Sequence, residues 1–405
     1  MSTILLRWSE WKTTRAPQGQ FWIYFVAAIF FNFGFSVFFF LFNIYLVGFG
    51  LDERSLGIIG SAMAVGTLCG TIPAGIAAQR FGLRWTLGGG VALACIASVL
   101  RVIFVAPQAA IPLAVVSGIG LCTWGVCLSP AVASLTSEEQ RPTAFSLTFA
   151  SGIGMAGVGA FAAGHLPGWI TSLASRVLSP TQSERYALLL GIAVSAISLV
   201  PLTRLTLQPA APHARLVRPT SPFLRRFLPA MGVWAFVTGA FPPFANVFFV
   251  HHLGLSLEAM GSVFSFSQLV QFAAILAAPL LFRRTGLRNG ILFTQLATAS
   301  MLVALARVEN VSFAGWMYWG YMAFQCMNEP GIYGLLMDRV PEADRSGASS
   351  YTFFVSAGSQ IVASTAVGML IVRFSYSTVL YGIAALAVLA SLMFRSLRAD
   401  VTAHP

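Results

Sequence analysis

One carboxylate stands inside an otherwise oily stretch of this chain. Glu329 is followed by Pro330 and preceded at helical spacing by Tyr318, Tyr321, Gln325 and Asn328. At 100° per residue these five side chains fall within an arc of about 100°, one face of a helix. Polar groups are costly in hydrocarbon, so such a face must look into a helix bundle or a wetted cavity. A lone carboxyl there can exchange a proton as its access to water changes, or attract a cationic group. The alternative is a carboxyl that caps a helix broken at Pro330 or pairs with a polar neighbour. No second carboxylate, His/Cys cluster or nucleophile with a base accompanies Glu329, so enzyme chemistry has no constellation to run on.

Other amides lie scattered in apolar surroundings: Asn32, Asn43, Asn246, Gln268, Gln271 and Gln360. With Tyr351 they are candidates for lining the same cavity; the competing reading for each is an interhelical hydrogen bond. Phe38, Phe39, Phe40 and Phe244 are further candidates, although lipid-facing phenylalanines are commoner. His165, His251 and His252 fall at span ends and read as interfacial. The five cysteines lie in apolar runs without metal-ligand spacing and read as small core residues, so no metal site and no cofactor is expected.

These residues need elements to hold them. The chain is 57% hydrophobic and 9% charged, too little charge to cover a water-facing surface. Its continuous apolar runs match the ~20 residues that a helix needs to cross hydrocarbon, and they do not alternate as barrel strands would. Twelve spans are expected, near 20–47, 55–78, 84–106, 110–134, 143–166, 186–206, 228–251, 257–282, 288–307, 311–337, 347–372 and 377–396. The fold class is therefore an all-α membrane protein. Pro242-Pro243 is expected to interrupt the seventh span. The fifth carries Gly152, Gly154, Gly157, Gly159 and Gly164 for close helix contact.

Charge sets an expected orientation. Odd-to-even connections carry Arg54, Arg176, Arg185, Arg307 and Arg373, whereas the other connections and both tails hold most of the remaining basic residues. The positive-inside rule then places both termini in the cytoplasm, in a plasma membrane of the bacterial inner-membrane type. Met1 to Arg15 lacks the apolar core of a cleavable signal, and Trp8 and Trp11 read as interfacial anchors. Arg101, at the outer end of the third span, is expected to snorkel outward.

A basic turn occurs twice. Arg80-Phe81-Gly82-Leu83-Arg84 returns as Arg284-Thr285-Gly286-Leu287-Arg288, an offset of 286 − 82 = 204 residues. At the same offset Gly57 matches Gly261, Ser61 matches Ser265, and Glu138-x-x-Arg141 matches Glu342-x-x-Arg345. Two parallel six-helix repeats follow. The expected divisions are a tail 1–19, a half 20–207, a Pro-rich linker 208–226, a half 227–397 and a tail 398–405. Arginines of the two turns facing Glu138, Glu139, Glu342 and Asp344 would form a charge-paired gate between halves; the bland reading is that they only set topology.

The segment Gly75–Arg84 resembles the signature between helices 2 and 3 of major facilitator superfamily transporters. One departure is Gln79, where the family usually carries an acidic residue. The resemblance implies two six-helix halves moving a solute by alternating access. It places Gln79, Arg80, Gly82, Arg84, Glu138, Arg141, Arg284, Gly286, Arg288, Glu342, Asp344 and Arg345 at a cytoplasmic gate. The expected partners are a small-molecule substrate, the lipid bilayer and protons through Glu329, with no nucleic acid, in a monomer. Absence of a convincing buried cation speaks against an anionic substrate. Efflux of an amphipathic, drug-like compound is the first reading and uptake of a neutral solute such as a sugar the second; a non-transporting receptor is a third. Charge reversal at Glu342 is expected to slow transport and expose the cytoplasmic turns to an impermeant thiol reagent. Unchanged rate and reactivity would remove the turns from gating.

Overall fold

Inside hydrocarbon a chain must satisfy its backbone within each segment, and here it does so with helices. The computed structural model describes residues 19–137, 140–174, 177–206, 222–308, 310–340 and 345–397. Within them run twelve long helices. The first six are α1 (Gln20–Gly48), α2 (Glu53–Arg80), α3 (Leu83–Ile103), α4 (Pro107–Ser134), α5 (Arg141–Leu173) and α6 (Pro180–Ile197), extended by a single turn, Leu199–Leu202. The composite α7 joins Pro222–Ala240, Pro242–Val247 and a wider turn, Phe248–His252. It is followed by α8 (Leu257–Thr285), α9 (Leu287–Ala306), α10 (Val311–Arg339), α11 (Arg345–Phe374) and α12 (Tyr376–Ser396). Trp8, Trp11, the heart of the linker and the C-terminal tail lie outside the described residues.

One boundary differs from the sequence reading for a visible reason, and one expected break is present. Helix α6 starts at Pro180, six residues before the expected 186, because Ser179 and Gln182 form a reciprocal capping box and Pro180 takes the first helical position. Helix α7 breaks after Ala240, as Pro242-Pro243 demands, since neither residue has an N–H to donate. Pro330 does not break α10, which runs continuously through it. Among the described residues, eleven helices are long and apolar enough to cross a membrane. The remaining one is α10, whose Tyr, Gln, Asn and Glu side chains lower its mean hydropathy.

The 204-residue repeat is written into the backbone. Gly50 and Gly254 sit at φ +83° and +68°, and Gly82 and Gly286 at +85° and +78°, a region where a Cβ would be strained. Glycine is therefore required at both copies of both turns. Helix pairing repeats as well: α1 packs on α5 and α6 as α7 packs on α11 and α12, and α3 packs on α4 and α6 as α9 packs on α10 and α12.

The chain divides into two compact units that trade pieces. One unit holds α1, α2 from Ala62 onward, α3 to α6, and the first turns of α8 (Leu257–Ser265). The other holds the first turns of α2 (Asp52–Ser61), α7, α8 from Phe266 onward, and α9 to α12. Within each unit the traded segment is held by glycine. A Cβ on Gly57 of α2 would lie 2.5 Å from the Ser364 carbonyl oxygen of α11, and one on Gly261 of α8 would lie 2.9 Å from the Ala160 carbonyl oxygen of α5. The partners correspond too, since 160 + 204 = 364. Ser61 Oγ reinforces the first contact by donating to the Ile361 carbonyl at 2.8 Å, and Thr365 Oγ1 donates to Ser61 Oγ at 2.6 Å. Asp52 caps α2, accepting from the Ser55 N–H at 2.9 Å and its hydroxyl at 2.7 Å; these bonds hold its carboxyl below the usual carboxylate range.

Gly57→Leu is expected to destabilise the protein by about 1–3 kcal/mol, because backbone cannot yield as a side chain would. Thermal unfolding of the purified protein should show a drop of several degrees. Gly154→Ala, with nothing within 4 Å of its added carbon, should melt with the wild type.

Candidate functional site

The polar face of α10 meets α7 on one flank and α9 on the other, and these neighbours divide its side chains among different tasks. Pro242 of α7 has no N–H, so the Thr238 carbonyl four residues earlier loses its helical donor. Gln325 supplies the replacement: its Nε2 donates to the Thr238 oxygen at 3.2 Å. Its own Oε1 is enclosed without a partner, as is the Tyr321 hydroxyl. The break also turns Phe241 toward α10, where its ring packs edge-on against Tyr321 at 5.9 Å and Tyr318 at 6.4 Å. Two unsatisfied polar atoms, one acceptor and one hydroxyl, thus stand four residues apart on α10 beside aromatic rings.

Asn328 turns the other way. Its Nδ2 donates to the Ile291 carbonyl at 3.1 Å and to Thr294 Oγ1, both on α9, and the residue is fully buried. Through Nδ2 it braces α9 to α10, while its Oδ1 is enclosed without a partner. Glu329 is exposed on α10. The 100° arc was right about angle but too wide to be a single environment, because two neighbouring helices divide it.

The remaining amides also separate. Gln271 of α8 is buried, donates to Ser267 Oγ at 3.1 Å and accepts from Cys326 of α10 at 3.2 Å, so it braces α8 to α10. Asn246 is buried and its Oδ1 accepts from the Val247 N–H at 2.9 Å. Gln360 of α11 is exposed, with its Cα 2.9 Å from where a Gly239 Cβ would stand, so it marks the close approach of α11 to the α7 break. Asn32, Asn43, Gln268 and Tyr351 are half-buried. Gln295 of α9 escaped the sequence reading: it is fully buried and neither polar atom of its amide has a partner. Only its residue type within an apolar run signalled it.

The other unit holds a larger surprise. Arg101 of α3 is 3% exposed and does not snorkel outward. Its guanidinium lies over Phe42 at 4.3 Å and Phe38 at 5.4 Å, both from α1, with Nη1 3.5 Å from Ser117 Oγ and 3.7 Å from Met63 Sδ. Among the described residues it has no carboxylate partner, and its Nε is unsatisfied. The chain therefore does contain a buried cation, contrary to the sequence reading. Glu184, placed outside the sixth span on sequence, lies inside α6 at 6% exposure, because the capping box starts that helix early. Trp124 of α4 stacks on Phe31 at 4.1 Å and on Tyr24 at 5.7 Å, filling the space between α1 and α4.

For the expected gate, the turns are present and their acids are not in view. Glu138, Glu139, Glu342 and Asp344 lie outside the described residues, as do the side chains of Arg141 and Arg345. Gln79 and Arg80 are exposed, Arg80 sits over its neighbour Phe81 at 5.5 Å, and Arg84 over Trp85 at 5.3 Å. Arg284 is exposed, and Arg288 donates instead to the backbone carbonyl of Arg395 on α12.

Known proteins echo this architecture. The model of the Major Facilitator Superfamily matches residues 23–327. No curated protein sequence matches the chain. Among solved structures, the nucleoside transporter NupG superposes with a TM-score of 0.76 at 14% identity, covering 94% of this chain and 99% of that one. The xylose transporter XylE from E. coli, in an inward open conformation, gives 0.72 at 15% identity over 93% and 95%. A bacterial homologue of the iron transporter ferroportin gives 0.74 at 15% identity over 93% and 98%. At such identities the likeness is one of fold.

Replacing Arg101 tests its burial. A buried charge without a partner is destabilising relative to a well-packed apolar side chain, whereas a snorkelling arginine would be neutral to exchange. Arg101→Met is expected to melt at or above the wild-type temperature. Arg101→Lys should melt several degrees lower, because an ammonium cannot spread over the Phe42 ring as a guanidinium does.

Proposed function

The chain belongs to the Major Facilitator Superfamily, and from that premise we propose that it is a secondary transporter moving a small, neutral, hydrogen-bonding organic solute by alternating access. The observation that carries the substrate class is the pair of unsatisfied atoms beside the α7 break, the Tyr321 hydroxyl and Gln325 Oε1. Enclosed polar atoms are normally satisfied, and leaving one unpaired costs about 1–3 kcal/mol. The Tyr321 hydroxyl and Gln325 Oε1 are met by a solute that offers both a donor and an acceptor, such as a hydroxyl or amide pair. Phe241 and Tyr318 would flank it.

Efflux of an amphipathic compound rested on aromatic content, and much of that content is engaged elsewhere. Phe38 stacks on Phe42 at 4.7 Å, and Phe40 packs edge-on against Phe264. Arg101 is clasped by rings along its face, so it does not support an anionic substrate on present geometry. Two of the fold neighbours carry solutes of the hydroxyl-bearing class, a nucleoside and xylose, which accords with this reading without carrying it. Motion would part the glycine contacts that hold the first turns of α2 and α8. Those contacts supply two mirrored and separable latches, as alternating access needs. Glu329, exposed on the same helix, is the residue proposed to exchange a proton or to meet a cationic group of the solute.

A thermal-shift screen of the purified protein against polyols, sugars, nucleosides and amphipathic drugs tests the class. Hits should concentrate among the hydroxylated solutes, and Tyr321→Phe with Gln325→Ala should weaken the best hit by about tenfold each, one lost hydrogen bond apiece. A screen that returns only amphipathic drugs would overturn the substrate reading. With a substrate in hand, Glu329→Gln should abolish the pH dependence of transport; pH dependence that survives it excludes Glu329 as the coupling site.

A further inference from the structure

Three arginines from three helices converge on one pocket of about 630 Å³, lined by Arg226 of α7, Arg288 of α9, and Leu392, Arg395 and Ser396 of α12. Their convergence is built by packing. Phe227 of α7 meets Phe394 of α12 edge to face at 5.9 Å, which sets the neighbouring residues Arg226 and Arg395 side by side. Arg288 is brought in by the α9–α12 contact and donates to the Arg395 carbonyl. No carboxylate lines the pocket among the described residues.

Like charges do not gather in this way without a counter-charge. A general excess of basic residues at one end of the bundle would explain scattered arginines, but the repeat argues against so general a cause. At the 204-residue offset, Arg288 corresponds to Arg84, whereas Arg226 corresponds to Trp22. Arg226 thus has no basic counterpart at its repeat position, and it faces the pocket.

The apolar wall points to the occupant. Leu392 is 55% exposed, and Leu389, one turn further into α12 on the same face, is 45% exposed. A strip of exposed leucine thus runs from the basic pocket along a membrane-crossing helix. Free phosphate would use the arginines and leave the leucines idle; a diacyl phospholipid uses both. We propose that this pocket is a binding site for the phosphodiester headgroup of an anionic membrane lipid, with an acyl chain lying along Leu392 and Leu389. Basic pockets between helices at the cytoplasmic side suit such headgroups, and the basic loops assign this end of the bundle to that side. The site lies apart from the α10 face and does not depend on what the protein carries.

Purified full-length protein is titrated with short-chain phosphatidylglycerol, with phosphatidylcholine of the same chain length, and with inorganic phosphate, reading melting temperature and, by native mass spectrometry, bound lipid. Phosphatidylglycerol should stabilise and remain bound, with phosphatidylcholine and inorganic phosphate inert at equal concentration. Arg226→Gln, Arg288→Gln and Arg395→Gln together should weaken phosphatidylglycerol binding about a hundredfold, at roughly a kilocalorie per arginine. Arg283→Gln with Arg339→Gln, which remove two charges from the same end and none from the pocket, should leave binding unchanged. Full binding in the triple variant, equal loss in the Arg283/Arg339 variant, or stabilisation by inorganic phosphate alone would each overturn the proposal. Should the triple variant not fold, the same readings on Arg226→Gln alone decide it, a loss of several-fold being expected.

Discussion

A polar atom withdrawn from water into hydrocarbon must find a partner or remain a standing penalty, and the arrangement of this protein follows from how each such atom is dealt with. Backbone atoms are satisfied by helices, and where prolines interrupt α7 the side chain of Gln325 crosses from α10 to complete the Thr238 carbonyl. Asn328 and Gln271 perform the same office between α9 and α10 and between α8 and α10. Among the atoms left over after this accounting, the Tyr321 hydroxyl and Gln325 Oε1 stand together at the α7 break, where a solute would have something to gain by binding. The function proposed for the chain is thus the remainder of a structural sum.

The same constraint explains Arg101. A guanidinium has the lowest hydration demand among cationic side chains and a flat face that aromatic rings can cover. Phe38 and Phe42 cover it here, so α3 is pinned to α1 through a charge that α4 meets only with the Ser117 hydroxyl. Such a contact holds helices within one unit together. The traded segments at Gly57 and Gly261 rely on close backbone approach, to which Ser61 and Thr365 add hydrogen bonds at the first.

Architecture was legible in the chain because its causes are local or periodic. Apolar runs of membrane length gave the helices, Pro242-Pro243 gave the break in α7, and the 204-residue offset between Gly82 and Gly286 anticipated turns with matching φ. Local chemistry that was overlooked still left a trace: Ser179-Pro180-x-Gln182 is a capping signal, and reading it would have drawn Glu184 into α6.

The chain by itself determined that it crosses a membrane as two repeated sets of six helices, and which residue types its hydrophobic spans hold in reserve, since both depend on composition and spacing alone. Only the tertiary structure decided what those residues do. Tyr321, Gln325, Asn328 and Glu329 share one helical face on any wheel, yet α7 claims Gln325, α9 claims Asn328, and Glu329 is left exposed. A helix wheel records angle and omits the neighbours; it is the neighbours that settle whether an amide braces a helix or waits for a ligand. The same holds for Arg101 and for the Arg226, Arg288 and Arg395 pocket, whose members are far apart in sequence and are joined only by packing.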